Sequence, residues 1–301
     1  MSATLSNLSE SPTYIQRILD LERCDGNEPD TFRGAAMHSD HFVRTFGGHV
    51  AGQALVAATR TVEGKKVHSL HGYFLRPGDA NAETEYRVGR PRDGRSFATR
   101  TVEALQGGEV LFSMQASFHR AGDEGPEHSD EMRAVPAPDE LPAEATVPNL
   151  GPGSRHDLNE WDIRVVPPEM YSPNQYTTSQ QVVWFRSTRR LPDEDTFHAC
   201  TLTYMSDMTL LHSALAAHPG HQVQLASLDH AVWFLRPFRA DEWLLYDQIS
   251  PSAHAGRALT HGRIFDQQGR LVAVVVQEGL TRNLREGAHA VPERDPRPEP
   301  K

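Results

Sequence analysis

A short pattern occurs twice in the chain, Tyr73-Phe74-Leu75-Arg76-Pro77 and Trp233-Phe234-Leu235-Arg236-Pro237, 160 residues apart. The shared tetrapeptide alone carries little, because on the order of one such match is expected by chance from ordinary residue frequencies. The flanking sequence is what constrains the fold: each copy follows a helix candidate and precedes three strand-like segments. With 301 residues in all, and roughly 150 residues as an ordinary domain, the chain reads as one unit present twice.

In the first copy Gly47-Gly48 opens a stretch in which Val50, Ala51, Ala54, Leu55, Ala57 and Ala58 are apolar around most of a helix. In the second, Ser206 reads as an N-cap before Asp207, Leu210, Leu211, Ala214, Leu215 and Ala217 follow, and His218-Pro219-Gly220 is the stop. Helices apolar on nearly every side must be enclosed. Residues 85–89, 96–104 and 110–118 in the first block match 243–249, 257–265 and 271–277 in the second, all rich in β-branched and aromatic residues. Turns Gln106-Gly107-Gly108-Glu109 and Asp266-Gln267-Gln268-Gly269 separate the last two segments of each set, as in hairpins. The expected fold class is α+β, two antiparallel sheets each wrapped around a central helix, the tandem or double hotdog arrangement.

Composition enters where the two blocks meet. Residues 123–144 hold eight carboxylates against Arg133 alone, with Pro126, Pro136, Pro138 and Pro142 among them. Such a segment is expected to bury little apolar surface, so 121–154 reads as an acidic Pro-rich linker between blocks at 1–120 and 155–284. The tail 285–301 has the same character and is expected to be disordered. A net charge of −10 argues against nucleic acid or an anionic membrane as partner. The longest aliphatic run, 271–276, is far short of a membrane span, and the N-terminus shows no signal pattern, so a cytoplasmic protein is expected. Two cysteines, Cys24 and Cys200, are too few for a disulfide framework or a zinc ribbon.

Several chemical signatures fail on context. Gly47-Gly48-His49-Val50-Ala51-Gly52 imitates a phosphate loop, but Gln53 stands where its lysine belongs. Gly48 and Gly52, four apart, instead suggest a helix packed closely on a sheet, with N–H groups at its start free to receive an oxygen. Gly94-Arg95-Ser96-Phe97-Ala98 resembles a nucleophile elbow, yet Ser96 leads into a strand rather than a helix. His212, His218 and His221 have no acidic ligand placed with them, and exposed loop histidines are the expectation there.

Three polar residues of the second block stand out: Asp207 at the start of the buried helix, Ser227 before the aromatic strand, and Gln277 at the end of the most apolar run. Polar side chains in such settings need partners. Each also has a plain account, as a helix-terminal charge, a small turn residue and a solvated strand-end amide. The matching positions of the first block are Gly48, Val67 and Ser117, so a carboxylate site would belong to the second block alone.

The segments that carry these residues resemble a known family. They are Arg44-Thr45-Phe46-Gly47-Gly48-His49-Val50-Ala51-Gly52-Gln53-Ala54-Leu55, the run from His68 to Asp79, Tyr204-Met205-Ser206-Asp207, the run from Ser227 to Phe234, and Val276-Gln277-Glu278-Gly279. In this order they resemble the type II, double-hotdog acyl-CoA thioesterases. The resemblance implies hydrolysis of acyl-CoA to fatty acid and CoA, no cofactor or metal, and a homo-oligomer. It also implies a catalytic trio here of Asp207, Ser227 and Gln277. Oxyanion donors are expected at Gly47-Gly48, with Asp207 drawing a proton from an attacking water held by Ser227 and Gln277. A helix N-terminus would lower the pKa of Asp207 and burial would raise it. The alternatives are an enoyl-CoA hydratase on the same fold, for which His212 is poorly spaced from Asp207, and a non-catalytic acyl-CoA-binding protein.

Overall fold

The computed structural model describes residues 12–25, 30–38, 43–142 and 160–284. Its α-helices are α1 (Tyr14–Ile18), α2 (Gly47–Thr59) and α3 (Asp195–Ser206). The strands are β1 (Glu22–Arg23), β2 (Thr31–Gly34), β3 (Lys66–Phe74), β4 (Thr84–Asp93), β5 (Phe97–Gln106), β6 (Glu109–His119), β7 (Trp161–Val165), β8 (Gln180–Ser187), β9 (Val223–Ser227), β10 (Asp229–Phe234), β11 (Leu244–His254), β12 (Arg257–Asp266) and β13 (Leu271–Asn283). They form one antiparallel sheet in the order β1-β2-β4-β5-β6-β3-β10-β13-β12-β11-β8-β7, with β9 paired to β13 off that path.

The repeated pattern lies at the middle of this sheet. β3 and β10, which end in the two copies, pair with each other in antiparallel register, Tyr73 opposite Asp229 and Ser69 opposite Trp233. On either side comes a meander of three long strands, β4-β5-β6 and β11-β12-β13. The hairpin between β5 and β6 turns at Gly107 and Gly108, with φ of 57° and 84°, a conformation that only glycine adopts freely at both positions. The second hairpin uses Gly269 at φ 78°, and the Asp266 carboxylate accepts from the Gln268 and Arg270 N–H groups.

α2 is buried from Gly48 to Ala58, as its all-round apolar sequence requires. It lies on β3, β4, β5 and β6 and against α3. The roles of Gly48 and Gly52 differ from the expectation that they face the sheet. A Cβ on Gly48 would stand 2.4 Å from the Tyr204 carbonyl oxygen, and one on Gly52 would stand 3.4 Å from that of Cys200. Their missing side chains let the two helix backbones approach, so the glycine pair is a helix–helix device.

The second helix also departs from its expected place. Ser206 and Asp207 end α3 rather than begin a helix, and Leu210–Leu215 form only a 3-10 turn. The reason lies in where the apparent cap directs its polar atoms. The Ser206 hydroxyl reaches back to the Thr203 carbonyl and across to His230, and the Asp207 carboxylate is held by distant groups, so neither caps the following N–H groups. α3 itself is masked in the sequence by Thr201 and Thr203, residues that favour strands and turns; here the Thr203 hydroxyl donates to the Ala199 carbonyl inside the helix.

The stretch read as a linker packs as part of the molecule over its described residues, 121–142. Alternation along β8 and β11 sends Val183, Phe185, Leu244 and Tyr246 toward the helices and Val182, Trp184 and Leu245 to the opposite face. Met132, Val135 and Leu141 cover that opposite face, and the Trp184 Nε1–H donates to the Pro136 carbonyl at 3.0 Å. Arg133 reaches the fully buried Asp247 carboxylate at 2.9 Å, and Arg263 reaches it at 2.7 Å. An extended Pro-rich backbone needs no internal hydrogen bonds, and this one is docked by its apolar side chains, by Arg133 and by bonds from the sheet such as that of Arg263 to Asp130. Residues 143–154 and the tail 285–301 lie outside the described residues. Among the described residues no helix is long and apolar enough to cross a membrane.

Candidate active site

The fold brings Asp207, Ser227 and Gln277 into mutual hydrogen-bond contact. Asp207 is the first residue beyond α3, Ser227 ends β9, and Gln277 lies in β13 opposite Thr260 of β12. The Thr260 hydroxyl donates to the Gln277 carbonyl at 2.9 Å, tying that strand position to its neighbour. The Ser227 hydroxyl donates to Asp207 Oδ1 at 2.9 Å, and Gln277 Nε2 donates to the same oxygen at 2.8 Å and to Ser227 Oγ at 2.7 Å. Asp207 is 8% exposed and Gln277 fully buried, so these bonds face little competition from solvent.

The start of α2 forms the facing wall. A Cβ on Gly47 would stand 2.7 Å from Asp207 Oδ2, and the Gly48 backbone N–H is close enough to lower the pKa of that carboxylate. Asp207 therefore sits at the C-terminal end of its own helix and at the N-terminal end of the other block's helix, correcting the expectation of an N-terminal place on its own. The two helix termini act on the carboxylate in opposite senses. Burial dominates and raises the Asp207 pKa above the ordinary carboxylate value, against the lowering influence of His230, of the Ser227 and Gln277 hydrogen bonds and of the Gly48 N–H.

Residue-by-residue reading of the sequence missed His230. Its Nδ1 lies 3.0 Å from Gln277 Oε1, and its Nε2 lies 2.8 Å from Ser206 Oγ. The signal was present: in the alternation of Asp229, His230, Ala231 and Val232 along β10, His230 falls on the inward face with Val232, where an imidazole needs partners.

The remaining candidates fall away from this cluster. His218 and His221 are exposed and touch edge to edge, whereas His212 is half-buried with no partner for Nδ1, correcting its assignment as an exposed loop histidine. No group of His, Cys, Asp and Glu suited to a metal occurs among the described residues. Burial pushes the Cys200 thiol up to about 12, which leaves it inert as a nucleophile. Ser96 precedes β5, as a turn residue should.

One continuous antiparallel sheet, two apposed helices and a buried polar trio where the halves meet define a hotdog-fold protein. A hot dog fold protein from Alicyclobacillus acidocaldarius superposes with a TM-score of 0.73 over 91% of this chain and 100% of its own, at 19% identity. Family models described as acyl-CoA thioesterase and acyl-CoA thioesterase N-terminal domain match residues 153–280 and 38–119. The acyl-CoA thioesterase II TesB2 of Mycobacterium marinum is 53% identical, with a TM-score of 0.80 over 90% of this chain and 99% of that one. Human acyl-coenzyme A thioesterase 8 is 39% identical over 89% of this chain and 88% of its own length. Acyl-CoA thioesterase 2 of Haemophilus influenzae is 34% identical over 91% and 99%. The chain belongs to the acyl-CoA thioesterase II family.

Proposed function

We propose that this protein hydrolyses acyl-CoA to a free fatty acid and CoA, on a tandem hotdog whose halves are residues 1–120 and 155–284. The observation that carries the reading is the buried Asp207, Ser227 and Gln277 cluster, a carboxylate, a hydroxyl and an amide joined by bonds of 2.7 to 2.9 Å. A thioester carbonyl is electrophilic enough for attack by a single activated water, so this set needs no covalent cofactor.

Asp207 takes the proton of the attacking water, Ser227 and Gln277 orient its carboxylate through Oδ1, and Ser227 Oγ has a lone pair left for that water. The oxygen adds to the thioester carbon, the C–S bond then breaks, and the departing thiolate receives the proton held by Asp207. A raised pKa makes Asp207 a stronger base than a solvated carboxylate, provided it is ionised at the working pH. The tetrahedral oxyanion needs preorganised donors. Gly47 and Gly48 open α2 beside Asp207, and the N–H groups there are the donors this reading assigns to that role.

The test is thiol release from acyl-CoA esters of graded chain length, comparing the wild type with Asp207→Asn at equal folded concentration. Turnover in the wild type and its loss in the variant is the expected result, and wild-type inactivity at every chain length would overturn the reading. A hydratase would need an acid–base partner for Asp207; His212 makes no hydrogen bond to it, and Asp207 is engaged by Ser227 and Gln277 instead.

A further inference from the structure

We propose that His230 is a positioning residue: it sets which end of the Gln277 amide faces Asp207 and Ser227, and Ser206 in turn sets which ring nitrogen of His230 carries the proton. The proposal rests on the hydrolytic reading above and extends it to groups that never touch substrate.

A glutamine amide has two ends of nearly equal shape. Reversed, Gln277 would bring Oε1 against the Asp207 carboxylate, acceptor against acceptor, and both bonds that orient the trio would be lost. The Asp207 carboxylate already favours the N–H end, and the group at the other end of the amide adds to that choice. His230 Nδ1 lies 3.0 Å from Oε1, and an N–H there holds the oxygen away from Asp207.

A neutral imidazole carries one proton, so this works only if it sits on Nδ1. Ser206 Oγ, 2.8 Å from Nε2, supplies the donor that keeps Nε2 an acceptor. The same hydroxyl is placed to donate to the Thr203 carbonyl at 3.2 Å, and with a single proton it serves His230, the nearer of the two, only by giving up that bond. Ser206 is held in place as well, since its carbonyl accepts from the Tyr246 hydroxyl at 3.1 Å. Ser206, His230, Tyr246 and Gln277 are all fully buried, so no solvent competes for these bonds. Ser206 immediately precedes Asp207, so one short segment delivers the base and, by way of His230, orients its amide partner.

The experiment compares kcat and KM for acyl-CoA hydrolysis in His230→Leu, His230→Asn, Gln277→Ala and the His230→Leu/Gln277→Ala double variant, each at equal folded concentration. His230→Leu should lower kcat roughly 10- to 100-fold with KM little changed, the scale of a misplaced catalytic group. His230→Asn, whose amide N–H approximates Nδ1–H, should recover most of the loss, and the double variant should be no worse than Gln277→Ala alone. Wild-type kcat in His230→Leu, no rescue by Asn, or losses that multiply in the double variant would each overturn the proposal. If His230→Leu does not fold, Ser206→Ala replaces it, with the same fall in kcat expected. Independently of turnover, long-range proton–nitrogen NMR of the wild type should show His230 with its proton on Nδ1; a proton on Nε2 alone overturns the proposal even if acyl-CoA is hydrolysed. Inactivity of the wild type alongside an Nδ1–H signal would instead strike the hydrolytic reading and leave the hydrogen-bond relay standing.

Discussion

Asp207 accepts from Ser227 and Gln277 and has His230 and the Gly48 N–H nearby, and still has its pKa raised because burial outweighs them. Asp207→Asn should lower kcat by ~10²- to 10⁴-fold, the range for removal of a general base, as measured by thiol release. Ser227→Ala removes a hydrogen bond rather than the base, so a loss of about tenfold is expected, with no acyl-enzyme detected by intact-protein mass spectrometry during wild-type turnover. Acylated Ser227 would make that hydroxyl the nucleophile instead. The raised pKa has two consequences with pH. The proposed mechanism needs the ionised form, so on it kcat/KM should fall with decreasing pH through an inflection above the unperturbed value of 3.8. Folding favours the protonated form, so the stability contributed by Asp207 is fully present below 3.8 and lost as pH rises through the higher folded value. Thermal melting should therefore show Asp207→Asn more stable than the wild type at neutral pH, with the gap closing in acid. The trio itself was legible in the sequence as polar residues in apolar settings. His230 carried a signal too, the alternation that sets it beside Val232 on the inward face of β10, but that pattern does not name Gln277 as its partner.

At the level of elements, the strand meanders followed from alternation and turn glycines, which are local signals. The start of the second helix did not, because Ser206-Asp207 has the same local appearance whether its oxygens cap the next turn or bond to a strand far along the chain. The acidic segment shows the same limit. Its composition is that of a linker, yet residues 121–142 close over Trp184, Leu245 and Phe265, because a few well-spaced side chains dock an extended backbone. Asp247 is wholly buried between Arg133 of this strap and Arg263 of β12. Arg133→Ala should cost ~3 kcal/mol, since it leaves a buried carboxylate with half its compensation. Denaturant unfolding is the measurement, and a change under about 0.5 kcal/mol, typical of a surface site, would show the strap to be a loose covering.

At the scale of the molecule, the polar cluster forms where the start of α2 meets the end of α3 and strands β9 and β13. The glycines at the start of α2 come from the first block, and Asp207, Ser227 and Gln277 from the second. Gly48→Val should be destabilised by more than ~2 kcal/mol in thermal melting and lose activity as well, because its side chain would enter the Tyr204 backbone where α2 meets α3. Retention of wild-type stability would mean that the helices separate easily. The sequence by itself determined the repeated pattern, the antiparallel meanders and the enclosed first helix, since these rest on periodicity, turn chemistry and residue type within short windows, while the polar trio was picked out as a set by family resemblance. Only the tertiary structure decided that α3 ends at Ser206, that residues 121–142 form a strap, that Gly48 faces α3 and Gly47 faces Asp207, and that His230 stands behind Gln277. In each of these cases the deciding hydrogen bond or contact joins residues far apart in the chain, and no local pattern encodes its partner.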